Sequence, residues 1–158
     1  MTPDALFNKA KETNIVPYDA KMQSAFQFGV FADELADLVI SGKKTATTSS
    51  LDLYEKNEPL PQLGAYDVVL DSKNQAICII QNDNVEIKNY LDISDKHAYL
   101  EGEGDRSLEY WRNVHNDFFV NEYQLEGLVF KEQNAKMVLE NFHVVYPVKK
   151  SVSYTHLT

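Results

Sequence analysis

The sequence predicts an α+β fold in which helices flank a mainly antiparallel, barrel-like sheet. Segments typical of strands and segments typical of helices are interspersed along the 158 residues, without the regular repeat of a parallel sheet. With 44% hydrophobic and 25% charged residues, the composition is that of an ordinary globular protein. No repeat, proline-rich linker or low-complexity tract divides the chain. We therefore expect a single core.

Two helices and a hairpin are predicted in the first half of the chain. Residues 3–10 begin with Pro and Asp and then place apolar residues at helical spacing. Residues 33–41 carry an apolar face and are followed by Gly42, a typical C-terminal cap. The predicted strands are residues 66–70 and 76–81, which flank a polar turn, with residues 85–87 extending the sheet.

A long helix and a late strand are predicted in the second half. Asp105 or Ser107 is a suitable N-terminal cap for a helix over residues 105–123. Residues 137–146 form a strand-like run that ends before Pro147. The apolar and aromatic positions that recur along the helix are Leu108, Trp111, His115, Phe118 and Phe119.

The charge balance excludes one class of partner. Fifteen Lys and Arg residues stand against twenty-four Asp and Glu residues, which gives a formal net charge of -9. Such a chain repels polyphosphate, so we expect no binding of duplex DNA. An uncharged nucleoside or a short single strand remains compatible with this charge.

Cysteine usage and hydropathy predict a cytoplasmic protein. Cys78 is the one cysteine and lies in an apolar run, where a small buried hydrophobic residue is expected. No apolar segment approaches the roughly 20 residues that span a bilayer, so no membrane partner is expected. Residues 1–4 lack the basic start of a signal peptide.

Residues 41–50 form the first candidate motif, with two lysines and six hydroxyl side chains at a predicted helix end. The motif is no phosphate-binding P-loop, because Asp37 stands where that loop needs Gly. One interpretation is structural: Gly42 caps the helix and a Thr-rich edge strand follows. The other is catalytic: a Lys and a Thr three positions apart converge on a substrate, and the Lys activates the hydroxyl.

Residues 99–107 form the second candidate motif, in which Glu101, Glu103 and Asp105 alternate with glycines ahead of a helix. Carboxylates in a glycine loop suit a divalent cation, but the spacing is not that of an EF-hand. The structural interpretation is that Asp105 caps the helix while the glutamates face solvent. We predict neither a bound metal nor a cofactor.

Trp111 and His115 lie four residues apart on the apolar face of the long predicted helix. Most such aromatic residues belong to a core, although Trp111 or Tyr54 would stack on a base in a binding protein. His115 is expected to line the site. No second histidine lies at the spacing of a zinc site.

Two segments together resemble the ASCH domain family in its longer bacterial form. They are residues 35–47, Leu-Ala-Asp-Leu-Val-Ile-Ser-Gly-Lys-Lys-Thr-Ala-Thr, and residues 99–112, Tyr-Leu-Glu-Gly-Glu-Gly-Asp-Arg-Ser-Leu-Glu-Tyr-Trp-Arg. Both motifs, in this order and with strands between them, make the resemblance specific. It covers roughly residues 26–146. The expected organisation is an N-terminal helical extension (1–25), the ASCH domain (26–150) and a loose tail (151–158).

The resemblance implies a β-barrel similar to the PUA fold, with a Gly-x-Lys-x-x-Thr motif on the floor of a cleft. Small members of the family are similar to amidohydrolases that remove the acyl group from N4-acetylcytidine with a Lys, a Thr and a Glu. The matching residues, and hence the expected catalytic ones, are Lys44, Thr47 and Glu101. The expected substrate-binding residues are Lys43, Thr48, Tyr54, Glu103, Asp105, Trp111 and His115.

Three functions follow as hypotheses. In the amidohydrolase, Thr47 attacks the amide carbonyl, a neutral Lys44 takes its proton, and Glu101 assists the leaving amine. The alternatives are a non-catalytic RNA-binding or nucleotide-binding module and a metal-assisted ribonuclease. The net charge favours the first, because a nucleoside carries no phosphate. The expected ligand is a small nucleoside or a short single-stranded RNA, and the sequence specifies no oligomeric state.

Overall fold

A mixed five-stranded sheet curves into a half-barrel surrounded by four helices in the computed structural model, which describes residues 1–148. This architecture confirms the predicted α+β class. The predicted tail, residues 151–158, lies outside the described residues. The helices are α1 (Pro3–Glu12), α2 (Ala32–Ile40), α3 (Asp95–Glu101) and α4 (Leu108–Leu125); the strands are β1 (Met22–Gln27), β2 (Ala46–Ser50), β3 (Tyr66–Leu70), β4 (Ala76–Asn89) and β5 (Lys136–Tyr146).

The strand order is β1-β3-β4-β5-β2, with β1 and β3 parallel and every other pair antiparallel. β4 is 14 residues long, and it pairs first with β3 and then along most of its length with β5. A register shift between Asn82 and Asn84 bends this central pair, as β-bulges do. Strand β2 lies at the edge of the sheet, and the two lysines of the first motif come shortly before it in the chain.

Helices α1 and α2 each cover part of the sheet. Leu6 and Phe7 of α1 pack into a buried cluster with residues of β3 and β4. Ala36 and Val39 of α2 pack into another cluster that contains Cys78. Burial raises the pKa of the Cys78 thiol to about 12, so this residue is an inert core side chain, as predicted.

Helix α4 packs across a third buried cluster through Trp111, Phe119 and Tyr123. Its N-terminal cap is Ser107, one of the two predicted caps, and the hydroxyl of Ser107 accepts a hydrogen bond from the backbone N–H of Tyr110. Phe118 is only partly buried, because it faces a cleft at the edge of this cluster. No helix among residues 1–148 is both long and apolar enough to cross a membrane.

Candidate functional site

The site forms where the end of α2 meets the end of α3. Gly102 caps α3 in the left-handed conformation, with φ of 76°. A Cβ atom at this position would lie only 2.5 Å from the backbone oxygen of Lys43. Glycine at position 102 is therefore what lets Glu101, the last residue of α3, approach Lys44 in the turn after α2.

This close approach gives a testable prediction. Gly102→Ala should lower the free energy of unfolding by about 3 kcal/mol, because backbone strain and overpacking add together. Gly127→Ala is the matched control, since Gly127 has φ of 72° but open space around its Cβ position. We expect the control to cost only about 1 kcal/mol in urea unfolding. Equal costs for the two variants would contradict the proposed close approach.

Lys44 is buried at the floor of the site, with 2% of its surface exposed. Its Nζ atom lies 3.2 Å from Oε1 of Glu101, 3.1 Å from Oε2 of Glu103 and 3.0 Å from the backbone oxygen of Ala46. The ring of Phe28 lies 5.2 Å from the same atom. Two adjacent carboxylates stabilise the ammonium form, and all three of its N–H bonds have partners.

Glu101 is the centre of the polar network, with 1% of its surface exposed. Its Oε2 atom accepts hydrogen bonds from the hydroxyl of Thr48 and from Nε1–H of Trp111, each at 2.7 Å. Burial by itself raises the pKa of this carboxyl. The charge of Lys44 and the hydrogen bond from His97 outweigh burial and hold the pKa of Glu101 well below its usual range. Glu101 is therefore an ionised acceptor held in one position.

His97 completes the network from one turn earlier in α3. Its Nε2 atom lies 2.7 Å from Oγ1 of Thr48 and 3.1 Å from Oε2 of Glu101. Because an ionised carboxylate only accepts hydrogen bonds, Nε2 carries the proton. The sequence alone predicts no role for His97. Its spacing of four residues from Glu101 becomes informative only when residues 95–101 are recognised as a helix.

His115 faces the site from α4 and its orientation is fixed. The imidazole stacks on Trp111 with ring centroids 4.0 Å apart. Nδ1 lies 2.9 Å from the backbone oxygen of Trp111 and donates its proton there. In the neutral ring, Nε2 is therefore a free acceptor, and it lies 3.7 Å from Oε1 of Glu101.

A cleft of about 380 Å³ opens above these groups, a size suited to a small organic ligand. Lys44, Thr47 and Glu101, the three residues expected to be catalytic, all line it. So do Thr48, Glu103 and His115, while Asp117 adds a further carboxylate. The apolar walls are formed by Phe28, Phe31, Leu35, Val114 and Phe118.

Thr47 and Thr48 differ in what their hydroxyl groups contact. The hydroxyl of Thr48 donates to Glu101 and lies within hydrogen-bond distance of His97. Thr47 lines the cleft, and no hydrogen bond joins its hydroxyl to another residue between 1 and 148. Of the two hydroxyl groups, only that of Thr47 makes no hydrogen bond with the described residues.

The structure does not bring four of the expected substrate-binding residues into the cleft. Lys43 is exposed in the turn after α2. Asp105 accepts a hydrogen bond from the backbone N–H of Ser107. Tyr54 lies in a separate groove, with its hydroxyl 3.1 Å from that of Ser49. Trp111 lies beneath the cleft, 2% exposed, where it holds Glu101 rather than stacking on a ligand.

One group of side chains has the geometry to hold a metal ion. Ligand atoms of Glu101, Glu103 and His115 all lie within 4.8 Å of one another, the one such group found among the described residues. The ammonium group of Lys44 already lies within 3.2 Å of both carboxylates. Because this group takes the position that a cation would need, a metal ion would have to displace Lys44.

Comparison with known proteins identifies the family. Residues 24–146 match the model of the ASCH domain. The crystal structure of an ASCH domain from Lactobacillus crispatus JV V101 has a TM-score of 0.83 and 33% identity, over 90% of this chain and 93% of that one. Protein EF3133 from Enterococcus faecalis V583 has a TM-score of 0.80 and 32% identity, over 94% and 96%. No curated protein matches the chain. The expected resemblance is confirmed, and the chain belongs to the ASCH domain family.

Proposed function

We propose that this protein hydrolyses an amide of a small uncharged ligand, an acylated nucleoside such as N4-acetylcytidine. The observation that carries the proposal is the floor of the cleft, where a buried Lys44–Glu101 ion pair lies beside His115. These groups supply a positive charge, a fixed base and, with Thr47, a nucleophile. The apolar walls suit the flat face of a nucleobase.

Thr47 is the proposed nucleophile. It lines the cleft on β2, and its hydroxyl has no hydrogen bond to residues 1–148 that attack on a carbonyl would have to break. Thr48 is less suitable, because its hydroxyl proton is held by the Glu101 carboxylate. The role of Thr48 in the proposal is to keep Glu101 in place.

His115 is a better general base than Lys44. Lys44 would have to be neutral to accept a proton, and the carboxylates of Glu101 and Glu103 both oppose that state. In its neutral form His115 offers the required lone pair on Nε2, because the backbone oxygen of Trp111 accepts the proton on Nδ1. In the proposed mechanism, His115 rather than Lys44 is therefore the general base.

Lys44 stabilises the negative charge that develops on the substrate oxygen. Of its three partners, Glu103 is the most accessible, with 20% of the side chain exposed. A substrate carbonyl oxygen that replaces Glu103 receives an N–H bond from a charged donor inside a desolvated cleft. Glu101, fully buried, remains to hold the ammonium in position.

The proposed hydrolysis has two steps, acylation of Thr47 and hydrolysis of the resulting ester. The Thr47 oxygen bonds to the amide carbon while its proton moves to His115. The C–N bond then breaks, and His115 returns the proton to the leaving amine nitrogen. Water next attacks the acyl ester on Thr47, with His115 again taking and returning a proton. The products are a carboxylic acid and the free amine, and Thr47 is restored.

Recognition of a phosphate is less well supported than hydrolysis of a neutral ligand. A phosphate-binding lysine needs free N–H bonds, whereas those of Lys44 are directed at two carboxylates and a carbonyl. Glu101, Glu103 and Asp117 add negative charge around the cleft. This arrangement attracts a polyanion poorly.

Hydrolysis can be measured by mass spectrometry on a panel of acylated cytidines, acylated adenosines and short RNAs, with and without a chelator. We expect release of the acyl group from a nucleoside, unchanged by the chelator. Thr47→Val and His115→Gln should each reduce turnover by about 10² to 10⁴. His143→Gln is the matched control, because His143 is exposed and paired with Asp83 outside the cleft.

Other outcomes would replace the proposal. Tight binding of RNA without turnover would indicate a binding module, and chelator-sensitive cleavage of RNA would indicate a metal-assisted ribonuclease. Full activity in Thr47→Val would exclude Thr47 as the nucleophile. Full activity in His115→Gln would exclude His115 as the base.

A further inference from the structure

The wall of the cleft on α4 has polar as well as apolar side chains. One side of this helix lines the cleft with residues spaced three or four apart, which are Val114, Asp117, Phe118 and Asn121. Phe118 is partly buried, whereas Asp117 and Asn121 are exposed to solvent. These two polar side chains therefore lie at the mouth of the cleft, while the buried Lys44 lies at its floor.

Asp117 and Asn121 have hydrogen-bonding groups that the protein itself does not use. They are one helical turn apart, so their side chains are neighbours. Neither side chain forms a hydrogen bond or an ion pair with any residue between 1 and 148. Apart from Thr47, the other polar side chains that line the cleft are all bound to protein groups. The cleft thus offers free polar groups to a ligand at two places, at the proposed nucleophile and at its mouth.

The position of the base determines where the sugar of a nucleoside lies. In the proposed function, on which this inference rests, the acylated amine of a cytidine lies at the floor, beside Lys44 and His115. The pyrimidine ring carries that amine and the sugar on atoms at opposite corners of the ring. The sugar is therefore directed away from the floor and toward the mouth of the cleft. Phe118 lies between His115 and Asn121 on α4, where its ring would contact the base.

We propose that Asp117 and Asn121 form a sugar subsite, which binds the 2′- and 3′-hydroxyls of a ribonucleoside. An ionised carboxylate has two acceptor oxygens, so Asp117 can accept a hydrogen bond from each of the two hydroxyls. The amide of Asn121 can donate to the oxygen of a hydroxyl whose proton Asp117 accepts. An acidic side chain accepts from a ribose hydroxyl in the same way in dinucleotide-binding sites.

The charges around the mouth favour a nucleoside over a nucleotide. Among the described residues that line the cleft, the basic ones are Lys44 and His115, and both lie at the floor. Lys44 is already paired with two carboxylates. A phosphate on the sugar would meet the negative charge of Asp117 without a cation to offset it. We therefore expect cytidine to bind more tightly than cytidine 5′-monophosphate.

The test is calorimetric titration of the purified protein with cytidine and with 2′,3′-dideoxycytidine, which lacks both hydroxyls. We expect dideoxycytidine to bind about ten- to a hundredfold more weakly, which is typical for losing hydrogen bonds to a charged group. Asp117→Ala should weaken the binding of cytidine by a similar factor and leave that of dideoxycytidine unchanged. Asn121→Ala should weaken the binding of cytidine about three- to tenfold. Glu109→Ala is the charge-matched control, because Glu109 is exposed on α4 but does not line the cleft.

Several results would overturn the sugar subsite. One is the absence of cytidine binding at millimolar concentration, and another is equal affinity of the wild-type protein for cytidine and dideoxycytidine. A loss of affinity in Asp117→Ala that is the same for both ligands would also contradict it, because the carboxylate would then act on something other than the hydroxyls. So would tighter binding of cytidine 5′-monophosphate than of cytidine. The wild-type comparisons remain decisive even if a variant fails to fold.

Binding and turnover together separate the subsite from the proposed hydrolysis. If the protein distinguishes the two nucleosides through Asp117 but releases no acyl group from N4-acetylcytidine, the subsite is supported and the hydrolysis is contradicted. If N4-acetylcytidine and its 2′,3′-dideoxy analogue are hydrolysed with equal kcat/KM, the hydrolysis is supported and the subsite is overturned.

Discussion

Glu101→Leu should lower the free energy of unfolding by about 3 to 5 kcal/mol at pH 7, which is typical for breaking a buried ion pair. The leucine fills much of the same volume but accepts no hydrogen bond. It leaves the Lys44 ammonium without its buried countercharge and removes the acceptor for Trp111 and Thr48. Urea unfolding followed by tryptophan fluorescence measures the change directly, because Trp111 is the one tryptophan.

Glu103→Leu is the matched control for this change. Glu103 contacts the same ammonium, but 20% of its side chain is exposed, so water partly replaces it. We expect a cost of about 1 kcal/mol or less. Equal costs for the two variants would mean that the buried position of Glu101 contributes nothing beyond a surface ion pair.

The pH dependence of stability gives the same prediction an independent check. The pKa of Glu101 is lower in the folded protein than in the unfolded chain, where a glutamate titrates near about 4.3. The contribution of the ionised group is therefore fully present above that pH and is lost as pH falls toward the folded value. The difference in stability between wild type and Glu101→Gln should be constant from pH 5 to 8 and shrink below about pH 4.

Several elements of the fold could be predicted because their sequences follow the periodicity of the structure they form. The apolar strand β3 and the helix α4, with Ser107 as its cap, are examples. Strand β1 and helix α3 were missed. β1 is polar and mostly exposed, so no alternation of buried residues marks it. α3 is only seven residues long and ends in the glycine-rich motif, which was interpreted as a loop.

The site was predictable only in part, since its geometry depends on contacts distant in sequence. The resemblance to the family indicated Lys44, Thr47 and Glu101, although Glu101 lies 54 positions after Thr47 in the chain. The burial of Lys44 could not be foreseen, because lysines are almost always exposed. Pairing with two carboxylates is what makes that burial possible.

Trp111→Ala should also cost about 3 to 5 kcal/mol of unfolding free energy, as truncations of large core residues do. The indole is 2% exposed and packs against Tyr90 and His115, with ring centroids 5.7 and 4.0 Å away. Its N–H group also donates to Glu101. Circular dichroism during urea unfolding is the suitable measurement, because the variant lacks the fluorescent reporter.

Trp111→Phe separates packing from hydrogen bonding. Phenylalanine keeps most of the aromatic contact but lacks the N–H donor, so we expect a smaller cost of about 1 to 2 kcal/mol. Val120→Ala is the control on the same helix, with a side chain that is 48% exposed and an expected cost below about 1 kcal/mol. If Trp111→Ala lowered the free energy of unfolding no more than Val120→Ala, the contacts of the indole with His115 and Glu101 could not be what orients these two side chains. Both groups would then need another source of the fixed orientation that the proposed hydrolysis requires.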